Sequence, residues 1–277
     1  IGSGGGIINY ITKKSPLVDS FQGITTVGTT FNPIHSKETF GYRVSQFFNG
    51  RKNKFSYVIG GAFDYTGLQR DADGRPLGQT DGLSNSSQSN AFVKLGYDMD
   101  EHTSFNVVYN FYSSTQDAKY ISQTGVYGHT PTIGVKGTEP GKSAGTPFNH
   151  NFMFTFSKNN LFNTTQLDVS AYLNSFQSMN RYVPSGTAWY GPGQTMINSN
   201  KNGTRINLNT PFKIASMPTE ITYGIDVLND VTFQDLVDGR VYIPKMDMLN
   251  IAPYAQLKVD ILETDNYIEP VYIDVYG

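Results

Sequence analysis

Beyond about residue 15 the chain alternates apolar and polar side chains with period two, which restricts it to strands with one apolar and one polar face. Between Phe55 and Tyr65 the odd positions are Phe55, Tyr57, Ile59, Gly61, Phe63 and Tyr65, with Ser56, Val58, Gly60, Ala62 and Asp64 between them. Phe105, Val107, Tyr109 and Phe111 alternate with Asn106, Val108, Asn110 and Tyr112, and the same step recurs over Leu167–Leu173 and Ile221–Val227. No run has a helical period, so the chain reads as all-β. Many runs extend for about ten residues, longer than the five or six usual in globular sheets. About ten is what a tilted strand needs to cross a bilayer.

The connections add a second pattern. Short ones are expected near Asn49–Lys52, Met99–His102, Lys158–Leu161, Ala215–Pro218 and Glu263–Asn266. Long ones are expected over Gln69–Ser87, Thr115–Thr146, Met179–Asn200 and Gln234–Asp247, with only the first, near Asn32–Lys37, short. Turns at one end and long loops at the other is the layout of an outer-membrane barrel. Aromatics near strand ends, among them Phe47, Phe48, Tyr65, Tyr97, Tyr112, Phe176, Phe233 and Tyr254, fit an interfacial girdle and equally the β-propensity of Tyr and Phe. The polar face carries Arg43, Lys94, Asp168, Asp226, Gln256 and Lys258, which in a barrel point into a wet lumen or against its filling.

Composition removes other classes. The 277 residues carry 21 Lys+Arg against 23 Asp+Glu, a formal net charge of -2, which disfavours a nucleic-acid partner. With no Cys there is no disulfide scaffold, thiolate metal site or cysteine nucleophile. A mean hydropathy of -0.35 and the lack of a long apolar run exclude a membrane helix but not a barrel, which turns only alternate residues to lipid. His35, His102, His129 and His150 stand apart without metal-ligand spacing, and no nucleophile elbow is present, so no enzyme activity or cofactor is expected. Asp71-Ala72-Asp73-Gly74 lacks the later ligands of a calcium loop and reads as a turn.

The first residues differ from the rest. Gly2-Ser3-Gly4-Gly5-Gly6 matches neither glycine-rich phosphate-binding pattern. The stretch Gly5-Gly6-Ile7-Ile8-Asn9-Tyr10-Ile11-Thr12-Lys13 resembles the segment that closes the plug domain of TonB-dependent outer-membrane receptors, a G-G-x-[IV]-N-x-x-[ST]-K pattern passing into the first barrel strand. Gly60–Tyr65, Arg70–Gly74, Tyr223–Asp226, Asp238–Arg240 and Ala252–Leu257 are similar to siderophore-receptor members of that family. The resemblance implies a plug remnant over residues 1–14, with Gly5, Gly6, Asn9 and Lys13 at the plug–barrel junction. Residues 15–277 would then be the N-terminal half of a transmembrane antiparallel β-barrel. Barrels of this class have about 22 strands around a plugged lumen, and about eleven candidates are present here. An incomplete receptor is thus expected, located in the outer membrane of a Gram-negative bacterium and in contact with its lipid. It would import a ferric siderophore, with iron carried only in the chelate. A TonB energy-transducing complex would act through a segment preceding these residues.

Candidate ligand contacts lie in two long loops: Tyr120, Tyr127, His129, Arg181, Tyr182, Trp189 and Tyr190. Aromatics and Arg stack on and pair with a flat anionic chelate, while loop aromatics also pack loops together. Three alternatives stay open: a glycan- or other nutrient-importing receptor of the same superfamily, a passive porin-like channel, and a soluble β-rich binding domain. The last requires Phe55, Tyr57, Ile59 and Phe63 to face a protein core.

Overall fold

The structure is a computed structural model describing residues 16–78, 84–117, 119–185, 189–260 and 271–275. The junction residues Gly5, Gly6, Asn9 and Lys13 and the turn expected at Glu263–Asn266 lie outside the described residues. The strands are β1 (Ser20–Thr30), β2 (Gly41–Lys52), β3 (Phe55–Thr66), β4 (Ser86–Asp98), β5 (Thr103–Gln116), β6 (Tyr120–Gln123) and β7 (Ile133–Lys136). They continue as β8 (Ala144–Leu161), β9 (Thr165–Val183), β10 (Gly193–Ile214), β11 (Met217–Leu236), β12 (Val241–Val259) and β13 (Val271–Val275). A single helical turn, α1 (Ser36–Thr39), follows a 3-10 turn over Pro33–His35.

Eleven strands form one antiparallel sheet in chain order, and the β6–β7 hairpin branches off between β5 and β8. Among the described residues the sheet is open, with β1 paired to β2 alone and β13 to β12 alone.

Register partners share a face, so the pairing collects the alternating residues of all strands. One face carries Phe48, Ile59, Val93, Tyr109, Phe152 and Leu173 in one continuous row. The adjacent row carries Tyr57, Leu95, Val107, Phe154, Ala171, Thr204, Val227 and Ile251. A polar exception, Gln46, pairs with Thr25, whose Oγ1 donates to Gln46 Oε1 at 2.5 Å. The other face carries the polar residues singled out above. There Arg43 pairs with Asp64 (3.5 Å), Asp168 accepts from Ser157 Oγ (2.6 Å), and Asp226 pairs with Arg205.

The apolar residues form a band that crosses the strands diagonally. On β10 they run from Ile214 to Thr204 and give way to Asn202, Asn200 and Asn198. On β2 they reach Tyr42, whose hydrogen-bonded row passes through Tyr65, Ser87, Thr115, Gly145 and Met179 to Met196. The apolar limit has therefore dropped eight residues, from Met196 to Thr204, in six strand-to-strand steps. At about 3.4 Å per residue and 4.8 Å per step, that is about 27 Å against 29 Å, a slant of about 40°. Projected through that slant, the ten rises from Thr204 to Ile214 give a band about 26 Å tall.

Among the described residues no second layer covers either face. Among the described residues the buried hydrophobics are Val58, Leu68, Ala144, Met179 and Leu236, too few for a core. Phe55, Ile59 and Phe63 are exposed, at 43%, 41% and 37%. The close packing that exists lies within the sheet, where aromatic rings cover facing glycines. Tyr172 lies against Gly203, Tyr254 against Gly224, Tyr57 against Gly50 and Phe47 against Gly60. Each ring occupies the space a partner's side chain would need, a device that pins register.

Two connections differ from the expectation. β9 to β12 are 19, 22, 20 and 19 residues long. The loops expected over Met179–Asn200 and Gln234–Asp247 therefore shrink to 184–192 and 237–240. The alternation there is between polar residues, which hides the strands from a hydrophobic pattern. Two short turns move outward, to 53–54 and 162–164. Gln69–Ser87 and Thr115–Thr146 do hold long connections, the second containing the β6–β7 hairpin.

Two outcomes test this packing. The β10–β11 turn places Ala215 and Ser216 at φ 47° and 74°, a conformation that favours Asn-Gly. The double substitution Ala215→Asn with Ser216→Gly therefore raises the unfolding free energy by about 1 kcal/mol, measured by urea titration in detergent micelles. Gly203→Val pushes against the Tyr172 ring and the Val227 carbonyl and lowers it by about 1–3 kcal/mol.

Candidate binding surface at the long-loop end

The long-loop ends of the strands are tied to one another by side chains with few alternatives. Gln194, at the start of β10, is 3% exposed and spans three segments. It accepts from the Lys142 N–H (2.8 Å) and donates to the carbonyls of Lys142 (2.7 Å) and Asn180 (2.8 Å). A buried amide with these bonds made holds β9, β10 and the segment before β8 in one register. Gly141 is required in this contact, because its φ is +92° and a Cβ would stand 2.6 Å from Gln194 Oε1. Elsewhere at this end, the Leu68 N–H donates to the Glu38 carbonyl (2.9 Å), Arg70 pairs with Glu38, and the Gly134 N–H donates to the Pro76 carbonyl (2.7 Å). The connection after β3 is thus fastened to α1 on one side and to the β6–β7 hairpin on the other. Within it Asp71–Gly74 is a turn, with Asp71 Oδ1 accepting from the Asp73 and Arg75 N–H groups.

The seven residues expected to contact ligand fall on two hairpins. Tyr120 opens β6, while Tyr127 and His129 stand exposed at the β6–β7 tip, where they line an open hollow of about 560 Å³. Arg181 and Tyr182 are half-buried near the end of β9. Trp189 and Tyr190 sit in the β9–β10 connection and meet Tyr242 from β12. The Trp189 ring stacks on Tyr242 (5.2 Å between centroids, 17° between planes), and Tyr190 meets both edge-on, at 5.8 and 5.0 Å. Trp189 remains 76% exposed, so this cluster presents an indole face to solvent.

Arg240 holds the cluster in place. Its Nη1 donates to the Tyr190 carbonyl (2.7 Å) and its Nη2 to the Pro192 carbonyl (2.7 Å). Nε and Nη2 also donate to the Asp238 carboxylate, at 3.0 and 2.8 Å. That guanidinium holds the Asp238 carboxyl below its ordinary value of 3.8, and the Asp238 carboxylate in turn raises Arg240. Sequence reasoning missed Tyr242, Arg240 and Gln194 as members of the surface. A signal for the first two existed: Asp238-Gly239 between apolar residues marks a tight hairpin, which brings β12 to the level of Trp189.

The arrangement can stack a flat ring on Trp189 and Tyr242 and offer polar neighbours at its edge. Among the described residues no group of three or more His, Asp and Glu is placed to hold a metal ion. The short-turn end has a larger open cleft of about 980 Å³, whose lining includes Arg51, Asp98, Asp100, His102, Lys158 and Asn160. Its charges are engaged locally: Arg51 pairs with Asp98, and the His102 N–H donates to Asp100 (2.8 Å), holding that carboxyl low.

Because Asp238 is depressed in the folded chain, its contact with Arg240 is intact above about 3.8 and is lost as pH falls through the lower folded value. Trp189 is the sole Trp, so its emission reports the anchor: steady from pH 8 to 5, shifting only in stronger acid. Asp238→Asn abolishes that acid shift, and Arg240→Ala gives the acid spectrum at pH 7. A scan against models of known protein families finds no match to the chain.

Proposed function

We propose that the chain is the plug-closing segment and the first half of the barrel of a TonB-dependent outer-membrane receptor that imports a ferric siderophore. The observation that supports this reading most is the apolar band on a single-layer sheet. Its height of about 26 Å and slant of about 40° match the lipid-facing band of about 25 Å and the strand tilt of transmembrane barrels. The exposure of Phe55, Ile59 and Phe63 favours it over a soluble β-rich domain, which needs them in a core. The resemblance at Gly5–Lys13 favours a plugged receptor over a porin. The polar face then lines the lumen, and the Trp189–Tyr190–Tyr242 cluster stands at the outer mouth as a stacking surface for chelate or ligand rings. In this account no bond is made or broken: loops and lumen bind the chelate, and an energy-transducing complex displaces the plug.

A sugar-importing receptor is the second reading, because the same indole face stacks on pyranose rings. Equilibrium dialysis of the full chain in detergent micelles separates the two, using radiolabelled ferric catecholate and hydroxamate chelates beside a maltooligosaccharide. Saturable chelate binding, weakened about tenfold by Trp189→Ala or by Tyr242→Ala, is the expected result, as for loss of one stacking contact. Saturable sugar binding in its place moves the chain to the second reading. A detergent-free monomer that binds neither ligand overturns the receptor reading.

A further inference from the structure

The apolar face does not end uniformly. On β9 and β10 it gives way to a strip of neutral amides and hydroxyls, Ser175 and Gln177, then Asn198, Asn200 and Asn202, and on β11 Asn229 continues the strip before Val231 and Phe233 resume the apolar face. Two open grooves cross this boundary and share Phe152, Leu173 and Asn202. The groove of about 580 Å³ reaches down over Ala171, Thr204, Val227 and Leu249. The groove of about 420 Å³ reaches up to His150, Ser175 and Asn200. Leu173 and Leu249, at 56% and 64% exposed, are large apolar side chains flanking the amides.

The chemistry of the strip selects the ligand. An amphiphile laid along these grooves puts its chains on Leu173, Val227 and Leu249 and its headgroup on the amides. A phosphate headgroup calls for Lys or Arg, and the strip holds neither. The charges bordering it, Asp247 and Lys245, are paired with each other at 3.6 Å, and Asp247 also accepts from Asn229 Nδ2 (3.0 Å). Lys201, which adjoins the upper groove, belongs to the opposite face, where it is paired with Asp230 at 2.7 Å. Carboxamides, each offering both donors and an acceptor, match the hydroxyls of a sugar. Ser175 Oγ donates to Asn200 Oδ1 (2.8 Å) and fixes that amide, while the buried Asn198 Nδ2 has no hydrogen-bond partner.

We propose that the outer face of β9–β11 binds a lipid with an uncharged sugar headgroup, its acyl chains on the apolar band and its hydroxyls on the strip from Ser175 to Asn229. This site lies on the face opposite Arg205 and Asp226 and shares no residue with the Trp189 cluster, and it rests on the reading that the apolar band faces lipid.

The test reconstitutes the full chain into vesicles of dioleoylphosphatidylethanolamine, dioleoylphosphatidylglycerol and digalactosyldiacylglycerol in equal parts. Native mass spectrometry then identifies the lipids the chain retains. The expected result is retention of the digalactosyl lipid about fivefold above either phospholipid, the effect of one net hydrogen bond. The Asn200→Ala, Asn202→Ala double variant brings this to parity, while Asn151→Ala on the opposite face leaves it unchanged. Protease protection in the vesicles is read in parallel for every variant. A protected chain without preference, or one preferring phosphatidylglycerol, overturns the sugar-lipid site and leaves the lipid-facing reading standing. A chain that the vesicles do not protect overturns both.

Discussion

A sheet with one apolar face and, among the described residues, no second layer must have that face covered by something outside them. Every other feature of this molecule follows from that constraint. In a soluble sandwich two sheets bury their apolar faces against each other and fill the gap with interlocking side chains. Here the register carries Phe48, Ile59, Val93, Tyr109, Phe152 and Leu173 along one surface with nothing packed on it. Stability must come from backbone ladders, from the rings that cover Gly50, Gly60, Gly203 and Gly224, and from the medium that meets the band. In lipid, closure of the sheet would satisfy its two edges as well.

The same constraint separates the molecule into working zones. Within the band, the charged groups lie on the opposite face, where the Arg205–Asp226 and Tyr254–Asn207 pairs sit side by side. Beyond the band the outer face of β9 and β10 turns to amides and hydroxyls, and β9 to β12 continue as long hairpins. Gln194 and Arg240 are the fasteners of this upper region, and each satisfies backbone carbonyls from segments far apart in sequence. The Trp189–Tyr242 stack is therefore anchored at strand ends: Tyr242 lies on β12, and Trp189 lies in the connection whose Tyr190 and Pro192 carbonyls Arg240 holds.

What could be read from the sequence was whatever the period-two pattern expressed locally. β3, β4 and β5 alternate between apolar and polar residues, and their strands and intervening turn emerged at nearly the right positions. The upper parts of β9, β10 and β12 escape a hydrophobic pattern because they carry Ser175, Gln177, Asn198, Asn200 and Asp247, polar on the very face that is apolar lower down. The loops assigned there are strands for that reason. Trp189 and Tyr190 were recognised as an aromatic pair. Tyr242, about fifty positions on, joins them through the hairpin that Asp238-Gly239 signals locally, but its level beside Trp189 follows only from the register of β11 and β12. The glycine–aromatic pairs are likewise invisible until register is known.

The central claim is that alternate residues of one strand face lipid and water. The chain has no Cys, so single cysteines can be placed along Arg205–Ile214 of β10 and spin-labelled after reconstitution into vesicles. The account predicts that positions 206, 208, 210 and 212 are relaxed by oxygen and shielded from a water-soluble nickel chelate, with 205, 207 and 209 showing the reverse. Uniform access of the nickel reagent to both sets would contradict it.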